Sequence, residues 1–129
     1  MLRKIFFIIV FVFSLVMTGC GSSDSEGDKY VYYQKGYASF YSLQENGTLT
    51  SYDERYDRNK LTGAHSNLPY GTMVKVTNLN NGRSVTLTIN DKRVPEGNYI
   101  IKLSEKAASE LATSSEKKDL FSIDIVKWG

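Results

Sequence analysis

The sequence predicts a compact, mostly β domain that closes on itself as a small barrel. Two observations carry this expectation. From Met73 to Asn90 the apolar and polar residues alternate on either side of Asn80-Asn81-Gly82, a turn signal that tolerates the positive φ angles of tight hairpins. Around that hairpin lie further short alternating runs and only one helical pattern, the mixture from which small closed sheets are built.

The opening residues are of a different kind. Arg3 and Lys4 precede an apolar run from Ile5 to Met17 that is interrupted only by Ser14. That run is too short to cross a bilayer comfortably but suits the core of a signal peptide. Val16-Met17-Thr18-Gly19-Cys20 follows, with small residues before the only cysteine of the chain. It resembles the lipobox of bacterial lipoproteins, although Met17 stands where leucine is commoner. The resemblance implies cleavage before Cys20, lipidation of its thiol, and a domain held outside the cytoplasmic membrane, facing the cell wall. The expected organisation is a signal peptide over 1–19, the lipidated cysteine with a flexible linker over 20–34, and a folded domain over 35–128. Gly21-Ser-Ser-Asp-Ser-Glu-Gly-Asp is the polar composition of such a linker.

Within the domain, Gly36 to Tyr41 reads as a strand, with Ala38 and Phe40 on one face and Tyr37, Ser39 and Tyr41 on the other. Glu45-Asn-Gly-Thr is a turn. Tyr52 to Leu61, crowded with Asp53, Glu54, Arg55, Asp57, Arg58 and Lys60, reads as an exposed loop. Val74 and Val76 share a face before the hairpin turn; Val85, Leu87 and Ile89 share one after it. Asp91 to Gly97 is a loop, and Tyr99 to Leu103 a short strand. Ser104 is then a good N-cap for a helix to about Ala112, with Glu105 in the positive first turn and Ala107, Ala108 and Leu111 as its apolar stripe. Phe121, Ile123 and Ile125 alternate in a last strand.

The 129 residues are 23% charged and 41% hydrophobic, with a formal net charge of +2. That composition gives one globular domain, and without a basic patch interleaved with aromatics it argues against a nucleic-acid partner. The one histidine, His65, lies in Leu61-Thr-Gly-Ala-His65-Ser-Asn-Leu-Pro69-Tyr-Gly71, a corner leading into the hairpin. Corners at the rim of a sheet are where sites tend to be built. His65 with the nearby acidic residues lacks the spacing of a metal site, so no metal and no cofactor is expected.

The order of these pieces resembles the rare lipoprotein A (RlpA) family of bacterial cell-wall lipoproteins. The family's Gly-x-Ala-Ser-Trp-Tyr-Gly is here Gly36-Tyr-Ala-Ser-Phe40-Tyr41-Ser42. Its Thr-Ala-Ala-His-x-x-Leu-Pro-x-Gly-Thr-x-Val-x-Val-Thr-Asn is similar to the stretch from Thr62 to Asn78, and its Asn-Asp-Arg-Gly-Pro to Asn90-Asp91-Lys-Arg-Val-Pro95. Its Asp-Leu-Ser-x-x-Ala-Ala matches Lys102-Leu103-Ser104-Glu-Lys-Ala107-Ala108, and its Gly-Glu-x-(Tyr/Phe)-Asp matches Asp53-Glu54-Arg55-Tyr56-Asp57.

The resemblance implies a six-stranded double-psi β-barrel with one or two short helices, and lytic transglycosylase activity on peptidoglycan glycan strands. It carries catalytic roles onto Asp91, His65, Glu54 and Asp57. Cutting a glycosidic bond needs an acid for the leaving oxygen and a group that deprotonates or stabilises what remains. Asp91 or Glu54 is the expected acid–base group, with His65 positioning it and Asp57 supporting. Tyr41, Tyr56 and Tyr70 offer flat rings with polar tips for sugar faces. Lys102 replaces a family aspartate, and an ammonium there is expected to favour ionised carboxylates nearby. A non-catalytic, expansin-like wall-binding or interaction lipoprotein is the alternative reading, with wall or division proteins as further partners.

Overall fold

The computed structural model describes residues 33–129. The signal peptide, the lipidated Cys20 and most of the linker expected from the sequence lie outside the described residues.

Six strands make a closed barrel: β1 (Tyr33–Phe40), β2 (Thr62–Ala64), β3 (Met73–Asn78), β4 (Ser84–Asp91), β5 (Tyr99–Leu103) and β6 (Phe121–Lys127). Around the barrel they run β1-β5-β2-β4-β3-β6, and β6 pairs with β1 to close the ring. The β1–β5 and β2–β4 pairs are parallel and the others antiparallel. Among the described residues the other elements are a 3-10 turn at Leu43–Glu45 and one short helix, α1 (Glu105–Glu110).

The elements form for local reasons. Gly82 takes φ 78° in the β3–β4 turn, and Asn78 exchanges backbone bonds with Arg83 and Gly82 there. This lets the two alternating runs pair from Met73–Thr88 to Thr77–Ser84. Ser104 caps α1 by accepting the Ala107 amide at 3.2 Å, while its hydroxyl donates to the Lys60 carbonyl at 2.7 Å. The helix is shorter than the sequence pattern predicted, ending where Ala112 turns to φ 50°. Its Ala107, Ala108 and Leu111 are buried, as the stripe required.

Val74, Val76, Leu87, Ile89, Ile101, Leu103, Leu111, Phe121 and Ile123 fill the barrel with almost no exposure. Burial of side chains of this size stabilises by about 1.5–3 kcal/mol each. Two elements differ from the sequence reading. Strand β2 was not expected; all three of its residues are buried, so no alternation announces it. The charged segment from Tyr52 to Leu61 is a loop, as expected, but it folds onto the barrel around Tyr56, which is only 2% exposed.

Strand β4 places the site. Its burial alternates up to Thr88 and then stops, with Ile89, Asn90 and Asp91 all buried. A carboxylate that is 1% exposed at the end of a strand must have its charge satisfied by neighbours.

Candidate active site

Asp91 is held by donors from three segments. Its Oδ1 accepts the Ser51 amide at 3.0 Å, the Ser51 hydroxyl at 2.7 Å and the Lys92 amide at 2.8 Å, with the Arg93 amide and Nε at 3.4 and 3.5 Å. Its Oδ2 accepts the Tyr41 hydroxyl at 2.8 Å. Burial pushes against the charge, but the Ser51, Tyr41 and Arg93 hydrogen bonds outweigh it and hold the carboxyl down at about 2. Asp91 is therefore ionised at neutral pH, with Oδ1 crowded by donors and Oδ2 carrying the tyrosine.

Ser51 reaches Asp91 because the chain doubles back between Leu49 and Arg55, which form an antiparallel bridge. Inside that turn Thr50 accepts the Asp53 amide and donates its own to the Glu54 carbonyl, and Asp53 adopts φ 58°. This loop presents Ser51 inward and carries Glu54. The Glu54 carboxylate accepts the Tyr70 hydroxyl at 2.6 Å. That bond, made to the neutral phenol, raises the Tyr70 pKa. Tyr70 is half exposed and its ring lies 5.1 Å from that of Tyr52, tilted by 59°. Lys92 Nζ sits 5.4 Å from the Tyr52 ring centre.

Tyr41 is built in from all sides. Its ring stacks on Tyr56 with centroids 4.0 Å apart and planes 11° from parallel. Lys102 Nζ lies 4.2 Å from its centre. Burial, followed by the hydrogen bond to ionised Asp91, raises the Tyr41 pKa, so it stays a donor. Lys102 itself pairs with Glu45 at 2.6 Å. Burial tends to raise the Glu45 pKa, but Lys102 and Ser42 together leave it lowered. The ammonium expected to ionise the catalytic carboxylate thus acts on Glu45, while Asp91 is ionised by Ser51, Tyr41 and Arg93.

His65 follows β2 and is 1% exposed. Its Nδ1 accepts the Asn67 and Leu68 amides at 3.1 and 3.2 Å, which leaves the ring proton on Nε2, bonded to Gln34 Oε1 at 2.8 Å. Burial lowers its pKa, so the ring is neutral. Its backbone amide donates to the Asp91 carbonyl at 3.0 Å, and its imidazole fastens the Asn67–Leu68 turn that follows.

The structure therefore gathers Asp91, Tyr41 and Ser51, with Glu54 on the supporting loop and His65 behind. Asp57 instead closes its own turn by accepting the Asn59 amide at 2.9 Å. Tyr56 is buried beneath Tyr41 and donates no open face, so Tyr70 is the one of the three expected sugar-stacking tyrosines that faces solvent well. Ser51 and Tyr52 were not singled out from sequence, since neither lies in a periodic run. Among the described residues no group of His, Cys, Asp and Glu is arranged to hold a metal ion.

Fold and site together define a small closed β-barrel with an ionised, buried aspartate where β4 ends. The family model described as lytic transglycolase matches residues 33–123. Over 92 residues the chain is 44% identical to the probable endolytic peptidoglycan transglycosylase RlpA of a Synechocystis species, covering 71% of this chain and 29% of that protein. It is 49% identical over 76 residues to the endolytic peptidoglycan transglycosylase RlpA of Campylobacter jejuni (59% and 28%), and 46% identical over 78 residues to that of Neisseria meningitidis (60% and 33%). The chain belongs to the RlpA family. It spans about a third or less of the length of these curated relatives. Among solved structures it resembles the Streptomyces papain inhibitor in fold, with a TM-score of 0.58 at 19% identity over 74% of this chain and 96% of that one.

Proposed function

We propose that this protein is an endolytic lytic transglycosylase that cuts peptidoglycan glycan strands and leaves 1,6-anhydro-muramic ends. The observation that carries the reading is Asp91, buried at the end of β4 and ionised, with Oδ2 accepting the Tyr41 hydroxyl. The family relationship and the relatives' names support the substrate class. Asp91 accepts the proton of the muramic C6 hydroxyl as that oxygen attacks the anomeric carbon. Asp91 then passes that proton to the leaving oxygen and is regenerated as the carboxylate, while Glu54, bonded to Tyr70 on the loop that anchors Asp91, orients the sugar. Water is not consumed, so bond making and breaking balance within the sugar. Tyr41 and Ser51 fix the base, and the neutral His65 holds the corner.

The barrel is of the double-psi kind, a reading supported by its two parallel pairs in a closed six-stranded ring and by the family match. Residues 1–19 are a signal peptide, and Cys20 carries lipid that tethers the domain outside the cytoplasmic membrane through the 20–34 linker. The sequence around Cys20 supports this. Labelling with a clickable fatty acid, lost in Cys20→Ser, tests the anchor.

Incubation with purified peptidoglycan and with peptide-stripped glycan, read by mass spectrometry, tests the activity. Anhydro-ended fragments are expected. Ordinary reducing ends would make it a hydrolase. A folded protein that sediments with the wall and releases nothing would be a tethered wall-binder.

A further inference from the structure

A groove of about 570 Å³ opens on the barrel away from the candidate active site, between β1, the turn before β5 and the loop leading into β6. Its volume lies in the range of small-ligand sites. None of Asp91, Glu54 or His65 lines it. We propose that it is a second subsite, which binds a carboxylate-bearing glycan strand already engaged near Asp91. The choice of occupant rests on the function proposed above.

The floor is aromatic. Tyr37 and Tyr99 are register partners on the parallel strands β1 and β5, so their side chains stand side by side on one face. They are 41% and 44% exposed. The Tyr37 amide donates to the Asn98 carbonyl at 3.1 Å, which ties β1 to the turn before β5, and Gly97 lies in that turn at φ 122°. Two adjacent tyrosines held with open faces suit the apolar faces of sugar rings, and the neighbouring Asn98 amide and Ser115 hydroxyl suit sugar hydroxyls.

The far wall is cationic. Lys117 and Lys118 are exposed along it; Lys117 Nζ reaches the Ala112 carbonyl at 3.3 Å. The carboxylate lining the groove, Asp119, has Oδ2 committed to Asn78 Nδ2 at 3.0 Å and Thr113 Oγ1 at 2.9 Å, within the fold. The surplus positive charge selects an acidic glycan over a neutral one. An extended peptide is the poorer occupant. Each of β1 and β5 is already paired on both sides in the closed ring, so neither offers an edge for strand addition.

The groove and the site are joined through β1, which ends one residue before Tyr41. Tyr37 precedes Tyr41, the residue bonded to Asp91, by four positions, or about 13 Å of extended chain. A strand of a few sugar rings covers that distance. Longer strands would then be held at both places and short fragments at one.

The test uses the full chain bearing Asp91→Asn, to prevent turnover, in co-sedimentation with insoluble peptidoglycan. Adding Tyr37→Ala with Tyr99→Ala is expected to weaken binding about tenfold. Adding Lys117→Gln with Lys118→Gln is expected to weaken it severalfold, and that loss should vanish on wall material whose carboxylates have been amidated. In the otherwise unchanged protein the tyrosine pair should slow the release of fragments from long strands and leave short ones unaffected. Unchanged binding by the tyrosine variant, with circular dichroism confirming its fold, overturns the subsite. A lysine effect that persists on amidated wall overturns the carboxylate. Displacement by free stem peptide but not by peptide-stripped glycan overturns the glycan as occupant. Glycan binding that depends on the tyrosines in a protein without turnover would uphold the subsite and remove the enzyme.

Discussion

Replacing Asp91 by asparagine keeps the shape of the side chain and removes its charge. The amide oxygen can still accept from Ser51 and Lys92, and the amide nitrogen can turn to Tyr41, whose hydroxyl then accepts. What is lost is the preference of the folded site for a carboxylate. An unfolded aspartate titrates near 3.9, and this one is held at about 2. At about 1.4 kcal/mol per unit, and allowing for screening on the side of the exposed Arg93, the site contributes roughly 2 kcal/mol at neutral pH. The sign is set by the depressed folded value. The contribution is fully present above about pH 4 and disappears as pH falls through about 2. Urea unfolding followed by far-UV circular dichroism should therefore find Asp91→Asn about 2 kcal/mol less stable at pH 7, with the gap closing towards pH 2. A gap of zero at pH 7, or one that stays constant down to pH 2, would refute the claim that this network holds the carboxylate ionised.

Ser51→Ala removes the 2.7 Å hydroxyl bond to Asp91 and keeps the amide bond, so the Asp91 pKa should rise by about one unit. The acid limb of the pH–rate profile should move up with it, and an unmoved limb would separate Ser51 from the reaction. Lys102→Met and Glu45→Gln form a double-mutant cycle on a half-buried pair, for which urea denaturation should give a coupling of about 0.5–1 kcal/mol; additive effects would show that the pair does not act as a unit. Gly36→Ala places a methyl 2.5 Å from Ile100 Cγ2 and 3.2 Å from the Asn98 carbonyl, and should cost about 1–3 kcal/mol in the same measurement.

The β3–β4 hairpin, β5 and the Ser104 cap were legible in the sequence because their causes are local: alternation, an Asn-Gly turn and a hydroxyl three residues before an amide. Strand β2 was not, since Thr62, Gly63 and Ala64 are buried together and show no period. The charged loop read as solvated because a single aromatic, Tyr56, decides its placement, and one residue makes no pattern. At the site, His65 stood out as the one histidine at a corner, whereas the catalytic roles of Asp91, His65 and Glu54 came from the family resemblance. Ser51 lies 40 positions from Asp91, and only the fold brings the two together. The Lys102 exchange was visible, but its effect was misassigned, because its partner Glu45 is 57 positions away.

The most direct test of the central claim is digestion of peptidoglycan in heavy-oxygen water, with wild type and folded Asp91→Asn side by side. The account predicts anhydro-muramic ends free of heavy oxygen from the wild type, and none from the variant. Heavy oxygen in the new ends, or equal release by Asp91→Asn, would contradict a transglycosylase centred on Asp91.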